Sequence, residues 1–162
     1  KFWTSKVAPR LVAEAVDLVG GDALVVPDPL ARAVRDAPAL QIWAGTGNEL
    51  ALETARLVER SPRLLEDARE LLAPDLGEAG RAQLDQLARI ASLAVRDAAA
   101  ARLLAERLAL VAAAAAMRRD LPRVVSDAFV ATRFDGSMRT SYGAFDNRFD
   151  PAALVDFVLP AT

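Results

Sequence analysis

The stretch Gln41-Ile42-Trp43-Ala44-Gly45-Thr46-Gly47-Asn48-Glu49-Leu50 breaks a helical pattern with a glycine-rich turn and then restarts a helix. Two glycines separated by one residue give the backbone room to change direction, and Thr46 or Asn48 suits the N-cap of the helix that follows. Such a turn brings free backbone N–H groups and the positive end of a helix dipole up to a ligand, which suits a phosphate or a carbonyl oxygen. The competing reading of Gly45-Thr46-Gly47-Asn48 alone is a plain connection between helices.

Working outward, the pattern is helical on both sides. Ala, Leu and Arg dominate, apolar residues recur at spacings of three and four, and no strand alternation stands out. Upstream, Phe2, Trp3, Val7, Leu11, Val12, Ala15, Val16 and Val19 form an apolar stripe that Gly20-Gly21 closes, with Pro9 marking a kink or a start. Pro27-Asp28-Pro29 predicts a turn, and residues 30–35 a short helix before Pro38. Downstream, residues 47–59 predict an amphipathic helix on Leu50, Leu52, Leu57 and Val58. Ser61-Pro62 reads as the cap and first turn of a further helix to about Leu72.

Residues 78–119 predict one long helix or two abutting ones, with Leu84, Leu87, Ile90, Leu93, Ala94, Leu103, Leu104, Leu108 and Val111 on the apolar side. Alanines 112–116 would let a neighbouring helix approach closely. Asp120-Leu121-Pro122 restarts a helix through Phe129 to Arg133, residues 136–150 form the least helical stretch, and Pro151 opens a terminal helix. The expected fold is therefore all-α, a helical bundle with a loop near its end.

Composition narrows the chemistry. The chain has 162 residues, enough for one domain or two small ones with a real core. It has no cysteine and no histidine, which excludes a disulfide framework, a thiolate nucleophile, an imidazole base and an ordinary zinc site. Carboxylates, Lys, Arg, Tyr and hydroxyls remain. The net charge is −2, with 7 basic against 8 acidic residues before Ser61 and 13 against 14 from there on. Neither part is basic, which argues against binding nucleic acid by phosphate neutralisation alone. No signal segment and no membrane-length apolar run stands out, so a cytoplasmic location without membrane insertion is expected. The chain starts at Lys1, inside a helical pattern and without a cap, and is expected to be a piece of a longer protein.

Three segments carry a resemblance to one family. Ile42-Trp43-Ala44-Gly45-Thr46 resembles the Ile-aromatic-Glu-Gly-Thr motif of acyl-CoA dehydrogenases, Asp17-Leu-Val-Gly-Gly21 resembles their Gln-x-x-Gly-Gly segment, and Arg35-Asp36-Ala37 their Arg-Asp-Ala. The resemblance implies an FAD-dependent flavoprotein that dehydrogenates an acyl-CoA at its α,β bond. It implies cofactor contacts at Gly20, Gly21, Trp43, Gly45, Thr46 and Asn48, those at Gly20-Gly21 being made across a subunit interface. It also implies a homo-oligomer, dimer or tetramer. Ala44 stands where many members carry the catalytic glutamate, so no catalytic base is assigned within the chain, while its backbone amide is retained to bind the thioester carbonyl. Asp17 replaces the usual glutamine and cannot donate to a pyrophosphate.

The chain continues well past the point where most such proteins end. Lys1-x-Trp3, Lys6 and Pro9, the Ile-Trp-x-Gly-Thr-Gly-Asn segment, Pro122-x-Val-x-Ser-Asp-Ala-Phe129 and Thr132-Arg133 resemble the branch typified by the adaptive-response alkylation protein, with Tyr142-Gly143 and the helix start at Asp150-Pro151 similar to its closing segment. That resemblance implies residues 1–61 as the end of the dehydrogenase helical domain and 62–162 as an additional C-terminal helical subdomain. It also implies DNA contacts at Arg56 and Arg133, against which the charge balance weighs. The fragment by itself is expected to be inactive and to self-associate.

Other residues carry simpler expectations. Glu49 and Glu53 read as a solvated helix face, with Glu53 paired to Arg56. Phe2, Trp3, Phe129 and Phe134 read as core, and Arg118, Arg119 and Arg123 as surface charge at a helix break.

Overall fold

The computed structural model describes residues 1–25, 27–61, 63–134, 142 and 148–159. Among the described residues there are eight α-helices, three 3₁₀ turns and no strand, so the all-α expectation holds. The helices are α1 (Phe2–Val19), α2 (Pro29–Asp36), α3 (Gly47–Arg60), α4 (Leu64–Leu72), α5 (Glu78–Arg96), α6 (Ala101–Asp120), α7 (Arg123–Phe134) and α8 (Pro151–Val158). The 3₁₀ turns are Gly21–Leu24, Ala37–Gln41 and Ala98–Ala100. None of these helices is long and apolar enough to cross a membrane. Two compact units result, Lys1–Pro62 with Arg89–Ala109, and Arg63–Ala88 with Leu110–Thr162.

In the first unit α1 packs against α2, α3 and the turns Gly21–Leu24 and Ala37–Gln41. It starts at Phe2 and runs through Pro9, whose missing N–H leaves the Ser5 carbonyl without its helical donor. Phe2 and Trp3 are half-buried rather than core, Leu11 and Val19 of the expected apolar stripe are exposed, and so is Leu18 beside it. The Asp28 carboxylate accepts from the Leu30 N–H at 2.7 Å and starts α2, with Pro29 in its first turn. On α3 the buried positions are Gly47, Ala51, Ala55 and Val58, whereas Leu57 is exposed. Small side chains, not the leucines, form the inward face there.

Ser61 does not cap the next helix. It closes α3 through its N–H to the Leu57 carbonyl, and α4 begins at Leu64 after Arg63; Pro62 lies outside the described residues. The long helical pattern resolves into two helices because Asp97 adopts an extended backbone and its carboxylate takes the Ala99 N–H at 2.9 Å. On α5, Gly80, Leu84, Leu87, Ala91 and Ala94 are buried at alternating spacings of four and three, while Leu93 faces out. Ala101, Leu104, Ala105, Leu110, Val111, Ala114 and Ala115 are the buried residues of α6.

In the second unit Ser126, Ala128 and Val130 of α7 are buried, and Phe129 and Phe134 are half-buried rather than core. Arg118 departs further from expectation. Its side chain is only 14% exposed and its guanidinium meets the exposed carboxylate of Asp127 at 2.6 Å, one turn inside α7, so the arginine is largely covered rather than a free surface charge. The Gly77 backbone packs against the same guanidinium. Arg119 pairs with Asp120 at the surface, as helix-end complementarity suggests. Asp150 caps α8 by accepting from the Ala153 N–H at 3.1 Å. Most of the predicted loop at 136–150, including Gly143, lies outside the described residues.

Candidate functional site

Three elements of the first unit meet at the glycine-rich turn. The 3₁₀ turn Ala37–Gln41 delivers the chain, with the N–H groups of Ile42 and Trp43 both returning to the Ala39 carbonyl. The backbone then passes through two left-handed residues, Ala44 at φ 55° and Gly45 at φ 100°, before Thr46 starts α3. Glycine tolerates that conformation and alanine does not, at a cost of roughly 1–2 kcal/mol. Ala44→Gly is therefore expected to raise the stability of the chain by about 1 kcal/mol in a urea titration.

Thr46 and Glu49 form a reciprocal capping box. The Thr46 hydroxyl accepts from the Glu49 N–H at 3.4 Å, and the Glu49 carboxylate accepts from the Thr46 N–H at 2.7 Å and from its hydroxyl at 2.9 Å. The sequence signal for this is the Thr-x-x-Glu spacing, and Glu49, exposed as expected of a solvated face, also serves the cap. Those bonds, the backbone one foremost and then the hydroxyl, hold the Glu49 carboxyl below its ordinary value, with the Lys1 charge adding to the effect. A lowered folded pKa stabilises above the ordinary pKa of 4.5 and is lost as pH falls through the lowered value. Glu49→Gln is thus expected to flatten the acid side of the stability profile, and Thr46→Ala to cost about 1 kcal/mol at neutral pH, both read by denaturant midpoints.

Lys1 and Lys6 approach from α1. The Lys1 ammonium donates to the carbonyls of Trp43 and Gly45, each at 2.6 Å, and the Lys6 ammonium to Gln41 Oε1 at 3.3 Å. The Lys6 stem lies on Gly47, where a Cβ would come within 2.8 Å of it. From α6, Arg102 donates to Asn48 Oδ1 and lies 5.7 Å from the centre of the Phe2 ring. With Oδ1 occupied, the Asn48 NH₂ remains as a donor with no acceptor among the described residues. Sequence reasoning missed Lys1 as a turn ligand and Arg102 altogether; Arg102 is 54 residues from its partner, and no local pattern announces such a contact.

The other predicted site residues fall elsewhere. Trp43 is 69% exposed, its ring standing out beside Ile42, which is exposed too. Gly20 is the C-cap of α1 at φ 87°, its N–H bonded to the Val16 carbonyl at 2.8 Å, and so requires glycine for the fold. Gly21 has no such backbone, and a Cβ at either glycine would meet nothing within 4 Å. An 18-residue helix is about 27 Å long, which puts Gly20-Gly21 at one end of α1 and the Ala44–Asn48 turn at the other. The structure thus brings Trp43, Gly45, Thr46 and Asn48 together and leaves Gly20 and Gly21 apart. Asp17 is exposed near that far end.

Of the two arginines considered for DNA, Arg56 pairs with Glu53 at 3.3 Å as expected, and Arg133 lies 5.8 Å from the centre of the Phe129 ring. Elsewhere, Val124, Asp127, Ala128, Ala131, Arg148, Phe149 and Asp150 line an open recess of about 350 Å³.

The family model described as acyl-CoA dehydrogenase, C-terminal domain, matches residues 1–58. The match spans α1, α2 and all but the last residues of α3, and so contains the whole turn and both glycine segments. It supports the acyl-CoA dehydrogenase family, and with it an oxidoreductase family in general, for this part of the chain. A search of curated proteins finds none that matches.

Proposed function

We propose that the chain is the C-terminal helical portion of an FAD-dependent acyl-CoA dehydrogenase-like flavoprotein, whose complete form dehydrogenates an acyl-CoA at its α,β bond. The observation that carries this reading is the exposed turn at the start of α3, lying within the matched segment, with donors that the fold does not use. Among the described residues the Ala44 N–H and the Asn48 NH₂ have no acceptor, and the Trp43 ring is exposed. Those groups suit a flavin and a thioester carbonyl: two kinds of donor for acceptor oxygens and nitrogens, and an apolar face beside them.

When bound, the flavin supplies the acceptor for the substrate hydride. The chain's own part is to bind and orient. Ala44 carries no titratable group, so the base that removes the α-proton must come from residues outside this turn. Thr46 serves the site mainly as the cap that fixes the direction of α3, since its hydroxyl is engaged with Glu49.

Gly20 and Gly21 act in this reading from a second copy of the chain, because a helix length separates them from the turn. The exposed Leu18, Val19, Leu24 and Val25 around them supply the apolar surface that such a contact would cover, which favours a homo-oligomer. The segment beyond Ser61 favours the branch with an added helical domain.

A second reading, a flavin scaffold or a DNA-associated alkylation-response protein without dehydrogenase activity, is favoured by Ala44. An anaerobic visible spectrum of the complete protein, titrated with straight and branched acyl-CoAs, separates the two. Bleaching of a flavin band is expected. A flavin band that no thioester bleaches would select the second reading, and the absence of flavin would remove the first reading and the flavin scaffold.

A further inference from the structure

A trans peptide is planar and holds its C=O and N–H antiparallel. The Trp43 carbonyl points at the Lys1 ammonium, so the Ala44 N–H, in the same peptide, points away from it. The Gly45 carbonyl points at the same ammonium, and the Thr46 N–H on its far side ends on the Glu49 carboxylate. Both peptides that flank the left-handed pair are therefore held from one side by a single charge. Charge-assisted bonds of 2.6 Å are strong enough to offset the conformational cost at Ala44. Lys1 and Ala44 are both exposed, so burial of these two residues does not itself fix the peptides between Trp43 and Thr46.

We infer that Lys1 is a positioning residue whose ammonium clamps the Trp43 and Gly45 carbonyls so that the Ala44 N–H stands outward as a fixed donor to a carbonyl oxygen. The inference rests on the proposed function for the identity of that oxygen, the thioester carbonyl of an acyl-CoA. Lysine suits the task because three donors on one nitrogen can serve two carbonyls at once. Methionine keeps much of the stem and loses every donor, whereas arginine keeps the charge.

Lys1→Met and Lys1→Arg in the complete protein test the clamp, with flavin content read from the visible spectrum and KM and kcat from acyl-CoA turnover. Lys1→Met is expected to keep its flavin while KM rises about tenfold, and Lys1→Arg to recover most of the loss. An unchanged KM in Lys1→Met, or a loss of flavin that accompanies the loss of affinity, would overturn the positioning role. Amide NMR of the chain separates failure of the clamp from failure of the functional reading. Lys1→Met is expected to shift the Trp43, Ala44 and Gly45 signals and to leave Val58 in place, whether or not acyl-CoA binds; unmoved turn signals would overturn the clamp itself. A clamp seen by NMR in a protein that binds neither flavin nor acyl-CoA would overturn the assignment of the thioester carbonyl.

Discussion

Replacing Leu104 by alanine is expected to lower the stability of the chain by about 2–5 kcal/mol, a loss readable as a drop in urea midpoint at constant slope. Leu104 is 0% exposed, the largest fully buried side chain among the described residues, and it lies in the part of α6 that belongs to the first unit. Truncation removes the transfer free energy of its methyl and methylene groups and leaves a cavity that rigid helical backbone closes only in part. Leu103, one position earlier, is exposed and serves as the control. Leu103→Ala is expected to change stability by less than about 0.5 kcal/mol. Equal losses at the two positions would show that α6 does not bury the face described.

The second large effect has the opposite chemistry. Ala114→Leu is expected to cost about 1–3 kcal/mol, because Ala114 has no exposed surface and additional methyl groups have nowhere to go without moving backbone. Ala112, two residues earlier on the same helix, is exposed, and Ala112→Leu is expected to be near neutral. The contrast isolates close approach from helix propensity, since both changes replace one strong helix former by another. Denaturant melts of the two variants decide it.

The site shows how a local motif and a distant partner divide the labour. Thr46 and Glu49 are three apart and cap the start of α3 without help from the rest of the chain. Lys1 and Arg102 reach the same turn from 42 and 54 residues away, and only α1 and α6 in place bring them there. In the proposed function the first pair sets where α3 begins, and the second pair sets which donors face a ligand.

The sequence by itself determined the all-α class, the helix starts after Asp28 and Asp150, the turn at Ala44–Asn48 and the Glu53–Arg56 pair. Each of these depends on residues within one or two helical turns of each other, where spacing and capping chemistry operate. Tertiary structure decided what periodicity could not. It turned Ala51 and Ala55 inward while Leu57 stayed out, left Leu11 and Val19 of the α1 stripe exposed, and covered the Arg118 side chain where it meets Asp127. It also placed Gly20-Gly21 a helix length from the turn of the same chain. The physical reason is common to all four: apolar spacing fixes which residues share a face, but burial depends on which element packs there, and that depends on residues distant in the chain.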